Sequence, residues 1–306
     1  MRYARTLGFL LLFFAACASL LQAATFGTVV PVTGGASDLV LDDQRQRLYL
    51  VNSTRSQIDV YSIPQRRFLD PVAVEQLPLA AALSRDGQTL YVVCNGASSL
   101  VMMSTANLQV SGRISLPAKP EGVAVGYDER VLISTVGTGQ NNAFNVLLIY
   151  DPAAGGTNQA LVPVTVAPPA PANPLLPPTN LGRPALIPRS FMAASQDGRF
   201  IMGVNLPNAN NRVAFVYEVA SGVVLRSRLL TGVSPVVSVA PDGSRFMAGL
   251  TLLDSKTLTV LAQQNAANAN YPFPTGTNFN LQQNQGGSIF TPDGGRLFTA
   301  FNIAPV

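Results

Sequence analysis

The chain has 306 residues, long enough for a large domain with its own core, and its 20 basic and 16 acidic residues give a net charge of +4. Because no basic cluster accompanies it, this small charge argues against a nucleic-acid partner. The complete absence of histidine excludes Ser-His and Cys-His catalysis and removes the commonest metal ligand.

The chain begins with the three-part layout of a secretory signal. Arg2 and Arg5 precede an apolar stretch at residues 7–21, and small residues follow. The stretch is shorter than the roughly 20 apolar residues of a membrane-spanning helix. We therefore expect residues 1–23 to be removed. The mature chain, residues 24–306, then has no membrane span and a secreted, periplasmic or cell-surface location.

The chain has two cysteines, and both bear on this location. Residues 14–17 loosely resemble a lipoprotein box, so an alternative is a lipoprotein acylated at Cys17. After removal of the signal only Cys94 remains, which allows no internal disulfide. The apolar neighbours of Cys94 indicate a buried small hydrophobe.

An aspartate-centred motif recurs six times, each time before a short apolar run. The clearest copy is Ser84-Arg85-Asp86-Gly87, and the six aspartates are Asp43, Asp86, Asp128, Asp197, Asp242 and Asp293, separated by 43, 42, 69, 45 and 51 residues. A period of roughly 40–50 residues with short strands is typical of propeller blades. The sequence therefore predicts an all-β chain, a β-propeller with six to seven four-stranded antiparallel blades.

Turn chemistry divides each unit into strands. The predicted units are residues 36–76, 79–116, 121–166, 187–230 and 235–262, with a sixth from about Ser288. In the second unit we expect strands at 80–84, 89–94, 99–104 and 110–116. The Asp-Gly pair fits the tight turn between the first two strands because glycine accepts a positive φ. In the fifth unit the second and third strands look compressed around residues 247–253.

The sixth unit holds only two predicted strands, so the last blade is expected to be incomplete. Exposed strand edges invite aggregation, and the segment Thr28–Val32, which resembles an outermost strand, would pair with the last blade. We also expect the chain to be the N-terminal portion of a longer protein, with further C-terminal domains, or to end in an unstable blade.

The second strands carry a recognisable pattern, Tyr49-Leu50-Val51-Asn52 and Tyr91-Val92-Val93-Cys94-Asn95. The unit resembles the YVTN-type β-propeller repeat over about residues 28–303, although Phe200-Ile201-Met202-Gly203 and Phe246-Met247-Ala248-Gly249 lose the Asn. The resemblance implies an exported surface or periplasmic propeller, usually seven-bladed and distantly similar to lactonase-type propellers. No catalytic residue of the lactonase-type relatives can be matched to a position in this chain.

Alignment on the aspartates puts one residue of each unit at the start of the innermost strand, where propellers line a central channel: Ala36, Leu79, Glu121, Ser190, Pro235 and Gly286. Glu121 is the only acid of this set. With Lys119, Arg189 and Asp38 it would form a small charged mouth. These residues are interpreted either as solvated charges at a channel entrance or as contacts to a ligand.

The long connections form a second candidate site. Connections between second and third strands, and those leading to the next blade, leave a propeller on the same face, and the long ones at 137–145, 167–188, 205–212 and 262–287 are all of these two kinds. They carry Asn141, Asn142, Asn208, Asn210, Tyr271, Phe273 and Phe279. The opposite face is expected to have only short turns. The decorated face is either a binding surface or a set of tolerated insertions.

Two functions remain. The favoured one is a non-catalytic exported propeller that binds a protein, peptide or glycan partner at the cell envelope, with no cofactor and no metal. The alternative is a lactonase-like hydrolase with a carboxylate-lined channel site around Glu121. The repeated aspartates belong to turns, and no calcium loop or phosphate-binding motif is found.

Overall fold

A computed structural model describes residues 30–136, 147–154, 162–164, 191–205, 212–230, 233, 236–263 and 285–301. The chain divides into two units, Met1–Thr33 and Gly34–Val306, and the fold is that of the second. The predicted signal, residues 1–23, lies outside the described residues. Of the predicted strand Thr28–Val32 only residues 30–32 are described, and they are not in a strand.

The second unit consists of antiparallel sheets that follow one another along the chain. Sheet 1 contains β1 (Ala36–Asp42), β2 (Arg47–Asn52), β3 (Gln57–Ser62), β4 (Arg67–Phe68) and β5 (Val72–Ala73), the last two both pairing with β3. Sheet 2 contains β6 (Pro78–Leu83), β7 (Thr89–Cys94), β8 (Ser99–Ser104) and β9 (Gln109–Ser115). The four strands predicted for the second unit are thus confirmed to within a few residues.

Sheets 3 to 5 have four strands each, in sequential order. Sheet 3 contains β10 (Lys119–Val125), β11 (Val131–Val136), β12 (Leu147–Tyr150) and β13 (Val162–Pro163); sheet 4 contains β14 (Phe191–Ala194), β15 (Phe200–Val204), β16 (Arg212–Glu218) and β17 (Val223–Leu230); sheet 5 contains β18 (Val237–Val239), β19 (Arg245–Ala248), β20 (Thr251–Asp254) and β21 (Val260–Gln263). The compression predicted for the fifth unit is confirmed, since only Gly249 and Leu250 separate β19 from β20.

Sheet 6 contains β22 (Gln285–Phe290) and β23 (Leu297–Phe301). The two are paired antiparallel, and no further strand of this sheet lies within the described residues. The prediction of an incomplete last blade holds for this part of the chain.

The sheets pack face to face through apolar clusters, each of which joins two consecutive sheets. Representative members are Tyr49, Val60, Leu90 and Val101 for sheets 1 and 2; Tyr91, Leu100, Val131 and Ile133 for sheets 2 and 3; Leu132, Leu147, Ile201 and Phe215 for sheets 3 and 4; and Met202, Val216, Phe246 and Leu253 for sheets 4 and 5. Burial of one such side chain stabilises a fold by roughly 1.5–3 kcal/mol. The first strands of all six sheets line one common cavity, as predicted for blades around an axis.

The predicted Asp-Gly turns are confirmed. In sheet 2 the Ser84 hydroxyl donates to Asp86 Oδ1 at 2.6 Å, and this hydrogen bond lowers the pKa of Asp86. Gly87 has a φ of 71°, a conformation that few other residues adopt without strain. Sheet 4 repeats the turn with Ser195 and Asp197, also at 2.6 Å.

The aspartate assigned to the first repeat is wrong by one position. Leu41 pairs with Leu48 just as Leu83 pairs with Leu90, which aligns Asp42 with Ser84. Asp43 therefore lies one residue before the position of Asp86. The same correction applies to the residues predicted at the start of each innermost strand. There Ser37, rather than Ala36, is the equivalent of Leu79.

Antiparallel pairing fixes the end of the propeller from which each connection leaves. Connections between second and third strands, and those between sheets, leave one end, which we call the loop end; the remaining connections leave the turn end. The connections at 137–146, 165–190, 205–211 and 264–284 leave the loop end. The prediction of short turns only at the turn end is wrong, because residues 151–161 join β12 to β13 there and begin with a short 3-10 helix, Pro152–Ala154.

Polar contacts tie neighbouring sheets together at the turn end. Arg45 Nη1 donates to the Gly87 carbonyl at 2.7 Å, which links sheets 1 and 2. The Glu129 carboxylate accepts the Arg85 and Asp86 backbone amides at 3.0 and 3.1 Å, which links sheets 2 and 3. These bonds and the apolar clusters hold the innermost strands in fixed positions around the cavity.

Candidate functional site

The innermost strands enclose an open cavity of about 1020 Å³. This volume lies at the upper end of the roughly 300–1,000 Å³ of small-molecule sites. Its walls are largely apolar, with Leu39, Leu41, Leu79, Leu83, Phe191, Ile289 and Phe298 among the lining residues. Such walls favour an apolar ligand body, while the few polar groups would fix its orientation.

Among the described residues that line this cavity, Asp38 is the only acid. It is half-buried near the start of β1, close to the loop end. Its Oδ1 accepts the Leu39 amide at 2.8 Å, and its Oδ2 accepts the Ala81 amide of the neighbouring sheet at 3.0 Å. Desolvation raises the pKa of Asp38 despite these two hydrogen bonds, which act to lower it. The carboxyl therefore holds its proton more readily than a solvated aspartate.

Among the described residues that line the cavity, Arg85 is the only basic one. It follows β6 at the turn end, and its guanidinium donates to the Gln196 carbonyl of sheet 4. The described lining residues therefore include an acidic side chain near the loop end and a basic side chain at the turn end. Sequence reasoning missed Arg85, because a residue before a turn gives no sign that it reaches a sheet two units further along the chain.

Lys119 and Glu121 lie at the start of β10, also near the loop end. Lys119 is exposed, and Glu121 is half-buried at a register shift between Pro120 and Gly122. Neither is among the residues that line the cavity, where the strand position of Asp38 is taken in β10 by Gly122. The structure thus places Asp38 on the cavity wall, and Lys119 and Glu121 at the same end of the propeller but outside the lining residues.

The remaining predicted site residues lie outside the described residues. These are Arg189 of the charged mouth and Asn141, Asn142, Asn208, Asn210, Tyr271, Phe273 and Phe279 of the long connections. Their roles, like those of Asp38, Lys119 and Glu121 in ligand binding, stay predictions. The strands that flank the long connections are described. They show that these connections leave the propeller at the loop end, where Asp38 also lies.

Within the part of the chain that the structure describes, no three Asp, Glu or Cys side chains lie close enough together to hold a metal ion. A lone carboxyl on an apolar wall can accept a hydrogen bond or pair with a cation. Acid-base catalysis of hydrolysis usually uses a second positioned group, and Asp38 has no acidic neighbour among the lining residues that the structure describes.

We expect the Asp38 carboxyl to titrate above 3.8, the value from which its pKa is raised. The folded state then binds this proton more tightly than the unfolded state, so the contribution of Asp38 to the free energy of unfolding falls as pH rises from about 3.8 through the raised value. NMR titration of labelled aspartates measures the shift, and Asp38→Asn should remove that part of the pH dependence. Asp86, whose pKa is lowered, is the internal control. Titration of Asp38 at or below the Asp86 value would contradict this account.

Comparison with known proteins gives structural neighbours but no family. No protein-family model matches the chain, and no curated protein matches it. Hydrazine synthase of Kuenenia stuttgartiensis is 18% identical with a TM-score of 0.64, covering 91% of this chain and 76% of that chain. The Cps50 (Swd1) beta-propeller domain of Myceliophteria thermophila is 7% identical with a TM-score of 0.51, covering 74% of this chain and 64% of that domain.

The chain is a β-propeller. At these identities the likeness shows the fold alone and carries no activity over to this chain. The YVTN-type repeat stays a resemblance of sequence. Among the described residues of the propeller, no helix is long and apolar enough to cross a membrane.

Proposed function

We propose that the protein is an exported, non-catalytic β-propeller that binds a protein, peptide or glycan at the cell envelope through its loop end. The observation that carries the proposal is the topology: four long connections leave the end at which Asp38 lies on the cavity wall. Binding residues are commonly found on variable loops that a rigid scaffold positions. The clusters between consecutive sheets supply that rigidity.

The sequence of the longest connection also supports binding. Residues 167–188 are rich in proline, and proline-rich segments are stiff and extended, which lowers the entropy lost on contact with a partner. The tyrosine and phenylalanines of the 264–284 connection, Tyr271, Phe273 and Phe279, are side chains favoured at protein interfaces. Both connections begin and end at the loop end.

Exchange of the 167–188 segment tests the proposal. A Gly/Ser segment of equal length replaces it, so that the span between β13 and β14 is kept. We expect the variant to keep the wild-type melting temperature and to capture the partner from cell-envelope extract at least about tenfold less well, a loss of roughly 1.4 kcal/mol of binding energy. Quantitative mass spectrometry of the captured proteins and glycans is the measurement.

The matched control is the same exchange of residues 155–160, which lie in the long connection at the turn end. This variant should capture the partner as the wild type does. Equal capture by both variants, or loss only in the turn-end variant, contradicts the proposed binding face.

The lactonase-like alternative rests on Asp38, whose raised pKa and position on the cavity wall suit a proton donor. If it holds, Asp38→Asn abolishes hydrolysis of a lactone panel and leaves partner capture unchanged. We expect no hydrolysis by the wild-type protein, and a turnover that depends on Asp38 would replace the binding proposal.

A further inference from the structure

The cavity carries side chains of opposite charge towards its two ends. Asp38 lies near the loop end, and Arg85 lies at the turn end. The Ala81 amide, which donates to the Asp38 carboxylate, stands four residues before Arg85 in the same chain segment. At the rise of a β-strand, the two charged groups are therefore held roughly 10–13 Å apart along the cavity.

Backbone hydrogen bonds hold the Asp38 carboxylate in place and leave it able to accept more. Each oxygen accepts one amide, Oδ1 that of Leu39 and Oδ2 that of Ala81. A carboxylate oxygen has two lone pairs, so one on each oxygen can still accept from a ligand. Because Asp38 is a lining residue, a hydroxyl or ammonium group inside the cavity can donate to it.

Arg85 is held at the turn end of the cavity by contacts with two other sheets. Its backbone amide donates to the Glu129 carboxylate at 3.0 Å, and its Nη2 donates to the Gln196 carbonyl. The guanidinium forms no ion pair within the part of the chain that the structure describes, which includes all 16 acidic residues of the sequence. Its Nε and Nη1 groups can therefore bind a ligand carboxylate, which matches the geometry of a guanidinium.

The wall beside these two groups consists of short apolar runs from three innermost strands. The runs are 79–83 of β6, 122–125 of β10 and 191–194 of β14, and each of their residues is apolar or glycine. The three strands belong to sheets 2, 3 and 4, which pack against a sheet on either side. An apolar chain that contacts this wall leaves water, which favours its binding.

We propose that the cavity binds a linear carboxylic acid that carries an amine or hydroxyl group at its far end. The carboxylate of this ligand pairs with Arg85, its apolar chain lies along the wall, and its far end donates to Asp38. A chain of about ten carbon atoms spans the distance between the two charged groups, at carbon–carbon bond lengths of about 1.5 Å. The ligand occupies the cavity rather than the long connections, so the inference goes beyond the proposed function.

Isothermal titration calorimetry with three matched compounds tests this assignment. The compound ω-aminodecanoate has both end groups, decanoate lacks the amine, and decylamine lacks the carboxylate. We expect ω-aminodecanoate to bind the wild-type protein at least about tenfold more tightly than either of the others, because each of them loses the contact at one end of the cavity. An affinity for ω-aminodecanoate no greater than that for decanoate overturns the inference, and so does the absence of binding.

Substitutions at the two ends of the cavity separate their roles. Asp38→Asn should weaken the binding of ω-aminodecanoate at least about tenfold and change that of decanoate less than about twofold. Arg85→Gln should weaken the binding of both carboxylates and leave that of decylamine unchanged. Arg85→Lys keeps the positive charge, so it should bind both carboxylates more tightly than Arg85→Gln does. Melting temperatures report whether each variant is folded.

The matched control is Arg199→Gln. Arg199 lies at the same turn end, is exposed and is not among the described lining residues, so its loss should change each affinity less than about twofold. Equal weakening of ω-aminodecanoate and decanoate by Asp38→Asn overturns the inference, because Asp38 would then not bind the amine. The variant with residues 167–188 replaced should bind ω-aminodecanoate as the wild type does, which separates this test from that of the loop end.

Discussion

Replacement of Phe215 with alanine is expected to destabilise the protein by about 3–5 kcal/mol, the usual cost of removing a buried aromatic ring. Phe215 lies on β16, is fully buried and belongs to the cluster between sheets 3 and 4. Its cross-strand partner on β15 is Gly203. The Phe215 ring fills the space beside Gly203, where a side chain at position 203 would otherwise lie. In Phe215→Ala this space would stay empty, because neither the glycine nor the new alanine can fill it.

The reverse substitution tests the same contact from the other side. In Gly203→Ala the new methyl group would collide with the Phe215 ring, and overpacking of this kind costs about 1–3 kcal/mol. Phe215→Leu shortens the side chain, so the double variant should lose less stability than the sum of the two single variants. Urea unfolding followed by circular dichroism gives the three values. Additive losses would contradict this account of the contact.

The matched aromatic control is Phe191→Ala. Phe191 lies on the innermost strand of the same sheet but is 43% exposed. Its loss should cost less than about 1 kcal/mol, since a partly solvated ring leaves no closed cavity. A cost as large as that of Phe215→Ala would mean that the cavity wall contributes as much to stability as the cluster between the sheets, and would contradict this account.

The fold was accessible from the sequence because each repeat carries local signals. Gly87, Gly198, Gly243 and Gly294 all have the positive φ that the Asp-Gly pattern predicts. The alternation of apolar residues in 79–116 located all four strands of sheet 2. Turn chemistry and side-chain alternation depend on neighbours within a few residues, so one sequence suffices to read them.

The register of β1 was harder to predict, because two aspartates that suit the turn motif are adjacent in the sequence. Asp42 and Asp43 both suit a turn motif, and only the pairing of β1 with β2 shows that Asp42 takes the place of Ser84. One position of error exchanges the two faces of a strand. The same one-residue shift replaces Ala36 with Ser37 among the residues predicted at the start of the innermost strands.

The candidate site was only partly accessible for a related reason. Asp38 could be found as an acid near the start of an innermost strand, but its contact with the Ala81 amide joins residues of two repeats. The reach of Arg85 to Gln196 spans a still longer stretch of sequence.

Replacement of Asp42 with alanine is the second large effect that we expect, a loss of about 3–5 kcal/mol. Asp42 is fully buried. Its carboxylate accepts the Tyr49 hydroxyl at 3.1 Å, the Arg45 amide at 3.0 Å and Arg45 Nη1 at 3.3 Å. Without it the buried Tyr49 hydroxyl loses its acceptor, and the Arg45 guanidinium loses its counter-charge while still bonded to sheet 2.

Asp43→Ala is the matched control, because the two aspartates are adjacent and only one is buried. The Asp43 carboxylate is exposed and accepts the side-chain amide of Gln46, so its loss should cost less than about 0.5 kcal/mol. Tyr49→Phe should cost about 1 kcal/mol, and much less in the Asp42→Ala background, since the hydrogen bond is already gone. Chemical unfolding of the four variants measures these differences. Equal losses in Asp42→Ala and Asp43→Ala would contradict the assignment of the stabilising contacts to the buried Asp42 carboxylate.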